Sequence, residues 1–420
     1  MPNQQTSIQV LSDLYYAALN AVNGQNAVEQ QLHKTPIEGN IAILAVGKAA
    51  SAMMAGAKKV LSEQIHSALI ITKVGHADHT LEWPCLETGH PIPNQKSLDA
   101  GAKLLEFLNN IPKNTKLLAL ISGGASALVE ILPNELDLNF LQKLNEWLLA
   151  SGLSIHEMNR IRQLVSLIKG GKALNYLNQD EMIQFLISDV KEDDISIIGS
   201  GLFVAGVKNP DVRNPDVSNQ EEQNQPFLDT SQLPDWLKNK ISPAQSLARV
   251  SVESHIIANN EMACQAVISR AKQSNYSVTY HGQTLYGEAL PLSGKLVKVL
   301  RHAESGVHIW GGEPSLVLPE KQGRGGRNQH LALAIAAHLE NTKGMTVLVG
   351  ATDGTDGPTD DAGAIVDAGT LERGAHCGRV NDYLMAADAG TFLAEAGDLL
   401  STGPTGTNVM DLVIAIKEPI

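Results

Sequence analysis

The amino-acid sequence predicts an α/β protein made of two α/β domains that meet at a cleft, and three observations support this. The chain has 420 residues, which is longer than a usual single domain. Short apolar stretches such as "IAILAV", "KLLALIS" and "MIQFLIS" alternate with helical patterns, as in βα units around a mainly parallel sheet. A polar, proline-containing connection from residue 209 to 244 precedes a second such series. We therefore expect domains at residues 1–245 and 246–420.

Composition limits the class of protein. The formal net charge of -13 and the low aromatic content of 4% argue against a nucleic-acid-binding surface. No stretch has the length and apolar character of a membrane span or an export signal. The three cysteines, Cys85, Cys264 and Cys377, are far apart and lack metal-site spacing. These features predict a cytoplasmic protein, monomeric or homodimeric, that binds neither nucleic acid nor membrane.

The first apolar strand ends in "ILAVGKAASAMM", which places Gly47 and Lys48 between a strand and a helix. Ligands of α/β sheets collect at that end of the strands, so Lys48 is a candidate to neutralise a phosphate. An ordinary solvent-facing lysine at a helix start explains the pattern equally well. The stretch does not match GxGxxG, and the next strand lacks the acidic residue that binds a ribose, so a nicotinamide site has weak support.

The segment "LLALISGGASALVE" joins a buried strand to a helix through small residues only. Here Gly123 and Gly124 allow backbone N–H groups to approach an anion, and the Ser122 and Ser126 hydroxyls can add hydrogen bonds. A tight turn without a ligand is the alternative. We favour an anion-binding loop.

Carboxylates follow two further apolar strands. Asp189 ends "LISDV", while Asp353 and Asp356 lie in "VGATDGTDG". Carboxylates in such places suit Mg²⁺ binding or the acceptance of a hydroxyl proton. The neighbouring Asp360 and Asp361 are expected to be solvated turn residues.

Residues 323–329, "GRGGRNQ", concentrate arginine and glycine directly before a strongly helical stretch. The amino-terminal end of a helix is already positive, so Arg324 and Arg327 are unfavourable there unless an anion is close. Their guanidinium groups are planar donors for a carboxylate or a phosphate. We therefore predict an anion site, the alternative being an exposed flexible loop.

The remaining candidates lie mostly near the carboxy terminus. Thr405, Thr407 and Asn408, in "STGPTGTNVMDL", are candidate ligands for a hydroxyl group or a nucleotide, although turn formation explains them equally well. The predicted binding residues are completed by Asn259, Glu313 and Asn328.

These motifs together resemble the glycerate 2-kinase family, in the type that carries a carboxy-terminal MOFRL domain and is often labelled hydroxypyruvate reductase. The pieces "VGKAA", "GHPIPN", "LISGGASAL", "GGEPSLVL", "GRGGRNQ" and "TGPTGTNVMDL" occur in the family's order, between Gly47 and Asp411. The resemblance therefore covers nearly the whole chain.

The resemblance implies a Rossmann-like amino-terminal domain, a smaller α/β MOFRL domain and an active site in the cleft. It also implies phosphorylation of D-glycerate to 2-phosphoglycerate with ATP and Mg²⁺. The family's catalytic lysine and arginine fall on Lys48 and Arg324. We expect Asp189 to act as a base or to position the metal, and Asp353 and Asp356 to organise Mg²⁺. The "SGGAS" loop would hold a phosphate or the substrate carboxylate. Arg327 is a second candidate to hold the carboxylate.

Three segments of the amino-terminal half depart from the family pattern. The family's "RKHLS" is "RQLVS" here, which places Gln163 and Leu164 at the changed positions, and "IASGPT" is "IGSGLF" at residues 198–203. Asn94 replaces the aspartate of the "GHPxPD" motif. Two alternatives therefore stay open: an NAD(P)H-dependent hydroxypyruvate reductase, and a non-catalytic protein that binds an organic acid.

Overall fold

A computed structural model describes residues 4–153, 155–204, 233–241, 248–340 and 342–419. Most of the polar connection predicted for residues 209–244 lies outside the described residues. The domain boundary predicted between residues 245 and 246 lies outside them as well, and stays a prediction.

Strands and helices alternate along the described parts of the chain. The strands are β1 (Ile41–Val46), β2 (Ile65–Lys73), β3 (Cys85–Thr88), β4 (Lys116–Ile121), β5 (Glu181–Ile187), β6 (Ser251–Ala258), β7 (Val278–Tyr280), β8 (Gly287–Glu288), β9 (Gly306–Gly312), β10 (Pro314–Ser315), β11 (Met345–Ala351), β12 (Gly363–Asp367), β13 (Leu399–Leu400) and β14 (Asp411–Lys417). The α-helices are α1 (Gln4–Val22), α2 (Gly24–Lys34), α3 (Ala50–Leu61), α4 (Gln95–Asn109), α5 (Ala125–Leu128), α6 (Leu138–Ala150), α7 (Ile155–Val165), α8 (Asp235–Lys238), α9 (Asn260–Gln273), α10 (Ala289–His302), α11 (Arg327–Leu339), α12 (Thr370–Arg373), α13 (Val380–Met385) and α14 (Ala389–Ala396).

Residues 28–257 form one compact unit around a sheet with strand order β3-β2-β1-β4-β5-β6. The pairs β2–β3, β1–β2, β1–β4 and β4–β5 are parallel. Every residue of β1 is buried, which explains its unbroken apolar sequence, since helices cover both faces of a parallel sheet. Leu44 of β1, Leu117 of β4 and Leu104 of α4 share one core. This is the mainly parallel sheet that the sequence predicts.

The register of this sheet places the predicted site residues at one edge. Val46 at the end of β1 pairs with Ile121 at the end of β4, and Ile121 pairs with Leu186 of β5. The loops that follow β1, β4 and β5 therefore leave the sheet side by side, at the edge where ligands of such folds collect.

The second compact unit consists of residues 1–27 together with residues 258–420. Its sheet has strand order β13-β12-β11-β14-β9-β7, in which neighbouring strands are antiparallel except for the parallel pair β7–β9. Helix α1 packs on α9, and the buried Tyr15 hydroxyl donates a hydrogen bond to the Ala351 carbonyl at 2.5 Å. The predicted amino-terminal domain, residues 1–245, includes α1, whereas in the structure α1 packs with the carboxy-terminal elements.

Helix α11 lies within the core of this second unit. Leu331, Leu333 and Ile335 are fully buried, and they share a core with strand residues such as Val347 and Val413. A helix that is apolar on all sides belongs in the interior of a protein. The "GRGGRNQ" segment is thereby held at a fixed point, the amino-terminal end of α11.

Within the described ranges, every helix is too short or too polar to traverse a lipid bilayer.

Candidate active site

The loops after β1 and β4 are joined by hydrogen bonds. The Lys48 amide donates to the Gly123 carbonyl at 2.9 Å, and the Ala49 amide donates to the Ser122 hydroxyl at 3.0 Å. Two of the predicted motifs, "VGKAA" and "SGGAS", are thus brought together at the sheet edge. Ser122 is fully buried, and its oxygen serves to hold the neighbouring loop.

Gly47 is required by the close approach of these two loops. Its φ angle is +133°, and a Cβ atom at this position would overlap the Ser122 hydroxyl and carbonyl oxygens. Any side chain would have to separate the loops or change the backbone conformation. The glycine therefore sets the position from which Lys48 projects.

Gly124 lies between Lys48 and His90. A Cβ atom on Gly124 would be 3.0 Å from Cδ2 and Nε2 of the His90 ring and 3.3 Å from Cγ of Lys48. His90 belongs to the "GHPIPN" motif but is not among the predicted site residues. The "GHPIPN" motif is the sequence feature that could have identified His90. The sequence spacing does not show that residue 90 packs against residue 124.

Ser126 and Asp189 lie at the same edge of the sheet. Ser126, in the short helix α5, is half-buried and lies 2.7 Å from the Ser200 hydroxyl, measured between the two Oγ atoms. Asp189 follows β5 and is also half-buried. All seven predicted residues of this unit therefore lie in the three segments that directly follow β1, β4 and β5.

In the second unit, Asp356 caps helix α11. Its two carboxylate oxygens accept hydrogen bonds from the backbone amides of Asn328, at 3.1 Å, and Gln329, at 2.7 Å. Asp356 is 2% exposed, and burial raises the pKa of its carboxyl to about 7. The helix end thus carries an anion, as the charge argument required, but that anion is a side chain of the protein.

Arg327, the first residue of α11, is held by two carboxylates. Its Nε and one terminal nitrogen donate to the two oxygens of Asp411, at 2.6 and 3.2 Å, and the other terminal nitrogen is 2.7 Å from Glu313 Oε1. Burial disfavours the charged guanidinium, but Asp411 and Glu313 outweigh that effect and raise the pKa of Arg327 above its ordinary value. Arg327 therefore pairs with both carboxylates, Asp411 and Glu313.

Arg324 is more accessible, with 49% of its side chain exposed. One terminal nitrogen donates to Asp361 Oδ2 at 3.0 Å, and the Arg324 amide donates to Asp388 Oδ1 at 2.7 Å. The expectation that Asp361 is a solvated turn residue is wrong, because Asp361 is buried between Arg324 and the Ser401 hydroxyl. Asp360 is exposed, as expected.

The "TGPTGTNV" loop lies alongside the end of β11. The Thr405 hydroxyl donates to the Thr352 carbonyl at 2.5 Å, and the Val409 amide donates to the Thr352 hydroxyl at 2.8 Å. Thr407 and Asn408 are buried in the same loop, and within the described residues Thr407 Oγ1 has no hydrogen-bond partner. This loop is therefore next to the Thr352–Asp353 turn.

The other candidates have local roles. Asn259 caps α9 by accepting a hydrogen bond from the Met262 amide at 2.9 Å. Asp353 is buried, and its Oδ1 accepts hydrogen bonds from the amide and hydroxyl of Thr355 at 3.0 and 3.2 Å. Asn259 thus serves a helix end, and Asp353 serves the turn after β11.

The donor set is a poor fit for a dedicated magnesium site. Within the described residues, no group of three or more His, Cys, Asp or Glu side chains is arranged to hold a metal ion. Both oxygens of Asp356 accept hydrogen bonds from backbone amides of α11. Magnesium often binds through one carboxylate and substrate phosphates, so such a role stays a prediction for Asp353 and Asp356.

Asp411 and Asp388, which contact Arg327 and Arg324, are not among the predicted site residues. Asp411 begins the buried strand β14, and a carboxylate in that position requires a cation. The sequence carried this signal in "MDLVIAIK", but it did not indicate that Arg327, 84 residues earlier, is the partner.

Comparisons with known proteins agree with these motifs. Residues 10–214 match the model of a domain of unknown function, DUF4147, and residues 306–411 match the MOFRL family. The two matches fall on the two groups of loops described above.

Curated relatives span nearly the whole chain. The chain is 32% identical to D-glycerate 2-kinase of Thermotoga maritima over 95% of each protein. It is also 32% identical to a putative hydroxypyruvate reductase of Agrobacterium vitis, over 89% of this chain and 98% of that protein. The crystal structure of glycerate kinase from Thermotoga maritima superimposes with a TM-score of 0.79 and 31% identity, over 98% of this chain and 99% of the other.

Proposed function

Because the chain belongs to the glycerate 2-kinase family, we propose that it transfers the γ-phosphoryl group of ATP to the 2-hydroxyl of D-glycerate. The 2-oxygen of glycerate forms a bond to the γ-phosphorus while the bond between that phosphorus and the bridging oxygen breaks, which releases ADP. The hydroxyl proton passes to a base. The observation that carries this proposal is the joined pair of loops bearing Lys48 and Gly123, formed by family motifs at the ligand-binding edge of a parallel sheet.

In this reaction the protein supplies position and charge more than covalent chemistry. Lys48 is oriented by the hydrogen bond from its amide to Gly123, and we assign it to the charge on the transferring phosphoryl group. Arg324 has the same role, because half of its side chain is accessible while Asp361 and Asp388 hold its position. Asp189, on the loop after β5, is the proposed base.

The other predicted residues divide into binding and supporting groups. Gly47, Ser122, Gly123 and Gly124 give the first loop pair its shape, and the backbone of that pair is the proposed cradle for substrate or nucleotide. Asn328, in the first turn of α11, and Thr405, Thr407 and Asn408, in the loop beside Thr352, are the proposed binding residues of the second unit. Arg327 and Glu313 support that end of the helix, because Arg327 is held by two carboxylates.

The test is a coupled measurement of both products. We expect purified protein to release ADP and form 2-phosphoglycerate in equal amounts when D-glycerate, ATP and Mg²⁺ are all present. Reactions that lack glycerate provide the control. ADP release that does not depend on glycerate would contradict the assignment of the substrate.

The name of the Agrobacterium vitis relative favours a second candidate, reduction of hydroxypyruvate. That activity would consume NADH in the presence of hydroxypyruvate and absence of ATP. The GxGxxG fingerprint is absent from the loop after β1. Binding of glycerate with neither reaction would instead identify a non-catalytic protein.

A further inference from the structure

A chain of hydrogen bonds leads away from Ser126. Ser126 Oγ is 2.7 Å from Ser200 Oγ, which is 2.6 Å from Asn159 Oδ1. Asn159 Nδ2 in turn donates to the Ser196 carbonyl at 3.2 Å. Ser200 and Asn159 are buried, with 1% and 6% exposure, so water has little access to their hydrogen bonds.

The direction of the protons in this chain follows from its far end. The Ser196 carbonyl can only accept, so the Asn159 amide nitrogen faces it and the Asn159 oxygen faces Ser200. A hydroxyl carries one proton, and Ser200 must therefore donate its proton to Asn159. The remaining bond is made by the Ser126 proton, which Ser200 accepts. Ser126 consequently presents only oxygen lone pairs on its other side.

The backbone holds Ser200 in this place. Ser200 has a φ angle of +58°, which is uncommon for a residue other than glycine, and its glycine neighbours at 199 and 201 are also left-handed. Its carbonyl accepts hydrogen bonds from the Gly170 amide at 2.9 Å and from Gln163 Nε2 at 3.2 Å. Both "IGSGLF" and "RQLVS", the segments that depart from the family pattern, thus take part in fixing Ser200.

Ser126 follows the loop on which Lys48 and His90 pack, and its side chain is half-buried rather than enclosed. We propose that Ser126 accepts a hydrogen bond from a hydroxyl group of the substrate, and that Ser200 and Asn159 are positioning residues for it. This inference rests on the proposed function, in which the substrate is a hydroxy acid.

The proposal changes the chemistry expected of the loop. An anion would be repelled by the lone pairs of Ser126, whereas a substrate hydroxyl offers the proton that Ser126 lacks. A site built to bond a hydroxyl rejects an analogue that lacks it, because the buried polar group is then left unpaired. Ser126 would therefore select hydroxy acids over plain carboxylic acids of the same size.

The first test is binding of D-glycerate and propanoate, by calorimetry, to the full-length protein and to Ser126→Ala. We expect Ser126→Ala to weaken glycerate binding by about 10-fold, as for the loss of one hydrogen bond, and to leave propanoate binding unchanged or make it tighter, because propanoate leaves the Ser126 oxygen unpaired. L- and D-lactate and 3-hydroxypropanoate, each with one of the two hydroxyls, identify the group that Ser126 contacts. Equal weakening of propanoate and glycerate, or an effect on none of these hydroxy acids, would overturn the proposal.

Ser200→Gly gives the second test. Glycine accepts the left-handed backbone, so this variant removes the hydroxyl without new strain and frees the Ser126 proton. We expect the preference for glycerate over propanoate to fall about 3-fold to 10-fold. The double variant of Ser200→Gly and Ser126→Ala should lose no more of this preference than Ser126→Ala alone. If Ser126 instead donates to an anion, Ser200→Gly would leave glycerate binding unchanged or make it tighter.

Ser62→Gly is the matched control, because Ser62 is also left-handed, with a φ angle of +43°, but exposed. It should not change binding.

The inference and the proposed function can fail separately. Wild-type protein that discriminates through Ser126 without forming ADP contradicts only the kinase assignment. Turnover with unaltered discrimination in Ser126→Ala contradicts only the role of Ser126. Protein that binds no hydroxy acid contradicts both.

Discussion

Arg324 and Arg327 are three positions apart, but their surroundings give them different roles. Arg327 makes two hydrogen bonds to Asp411, whose side chain is 1% exposed, and a third contact to Glu313. Arg324 makes one side-chain hydrogen bond and remains half exposed. We therefore separate a residue that stabilises the fold from one that is available to a ligand.

Arg327→Ala should lower the free energy of unfolding by about 3 kcal/mol, because it leaves the buried Asp411 carboxylate without its cation. Urea denaturation followed by circular dichroism measures this change. A loss of less than about 1 kcal/mol would show that Asp411 has another means of compensation.

Arg324→Ala should have little effect on stability and a large effect on the turnover number. Loss of one half-exposed ion pair should change stability by no more than about 1 kcal/mol. The turnover number should fall at least about 100-fold if Arg324 stabilises the transferring phosphoryl group. Steady-state kinetics at saturating glycerate and ATP measure this, and an unchanged turnover number would remove Arg324 from the catalytic group.

Gly47→Ala should be more destabilising than an alanine at another left-handed glycine. Gly39, with a φ angle of +95°, has open space where a Cβ would lie, whereas Gly47 faces Ser122. We expect a loss of about 1 kcal/mol for Gly39→Ala from backbone strain and about 3 kcal/mol for Gly47→Ala, which adds an overlap. Equal losses in thermal unfolding would indicate that the loops separate without cost.

At the scale of elements, the amino-terminal end of α11 is stabilised by a carboxylate that burial makes harder to ionise. The pKa of Asp356 is about 7 in the folded protein, compared with about 4 in an unfolded chain. Between these values the folded state keeps a proton that the unfolded state has lost. Stability therefore falls as the pH rises from about 4 to 7, and this contribution is constant above that range.

Asp356→Asn should remove this pH dependence, because the amide cannot ionise. We expect the free energy of unfolding of the variant to change less between pH 5 and pH 8 than that of the wild type. Asp360→Asn, which replaces an exposed carboxylate in the same loop, is the control and should retain the wild-type slope. If the free energy of unfolding has the same slope against pH in the wild type and both variants, a group other than Asp356 titrates.

Sequence reasoning predicted the loops better than it predicted their partners. Apolar stretches followed by glycine marked the ends of β1 and β4, and the helix dipole correctly required an anion near residues 323–329. The sequence does not show that the anions are Asp356, Asp361 and Asp411, because these residues lie 27 to 84 positions away in sequence from the groups they contact. Pairings of this range are set by the fold, and no local periodicity encodes them.

At the scale of the whole molecule, α1 belongs with residues 258–420. Its own residues do not indicate this, since α1 has an ordinary amphipathic pattern that fits any apolar surface. The antiparallel directions of β11, β12 and β14 were equally hidden, because the apolar pattern of a buried strand does not depend on the direction of its neighbour.

Tyr15→Phe should test the place of α1. The variant leaves the Ala351 carbonyl without its hydroxyl donor, so we expect amide exchange in β11 to accelerate about 5-fold to 10-fold. Exchange in β1, which belongs to the other unit, should be unchanged. Tyr16→Phe is the control, because Tyr16 is 45% exposed on the same helix. Faster amide exchange in both β11 and β1 would contradict the division of the chain into two compact units.

The position of β14 has a consequence for synthesis of the protein. β14 lies between β11 and β9, near the middle of its sheet, yet it is synthesised after both of them. Residues 28–257 can complete their parallel sheet while translation continues. Helix α1 is synthesised before these residues, but the elements on which it packs, α9, β11 and β14, are synthesised after them. Until then its apolar face, including Tyr15, is exposed to chaperones.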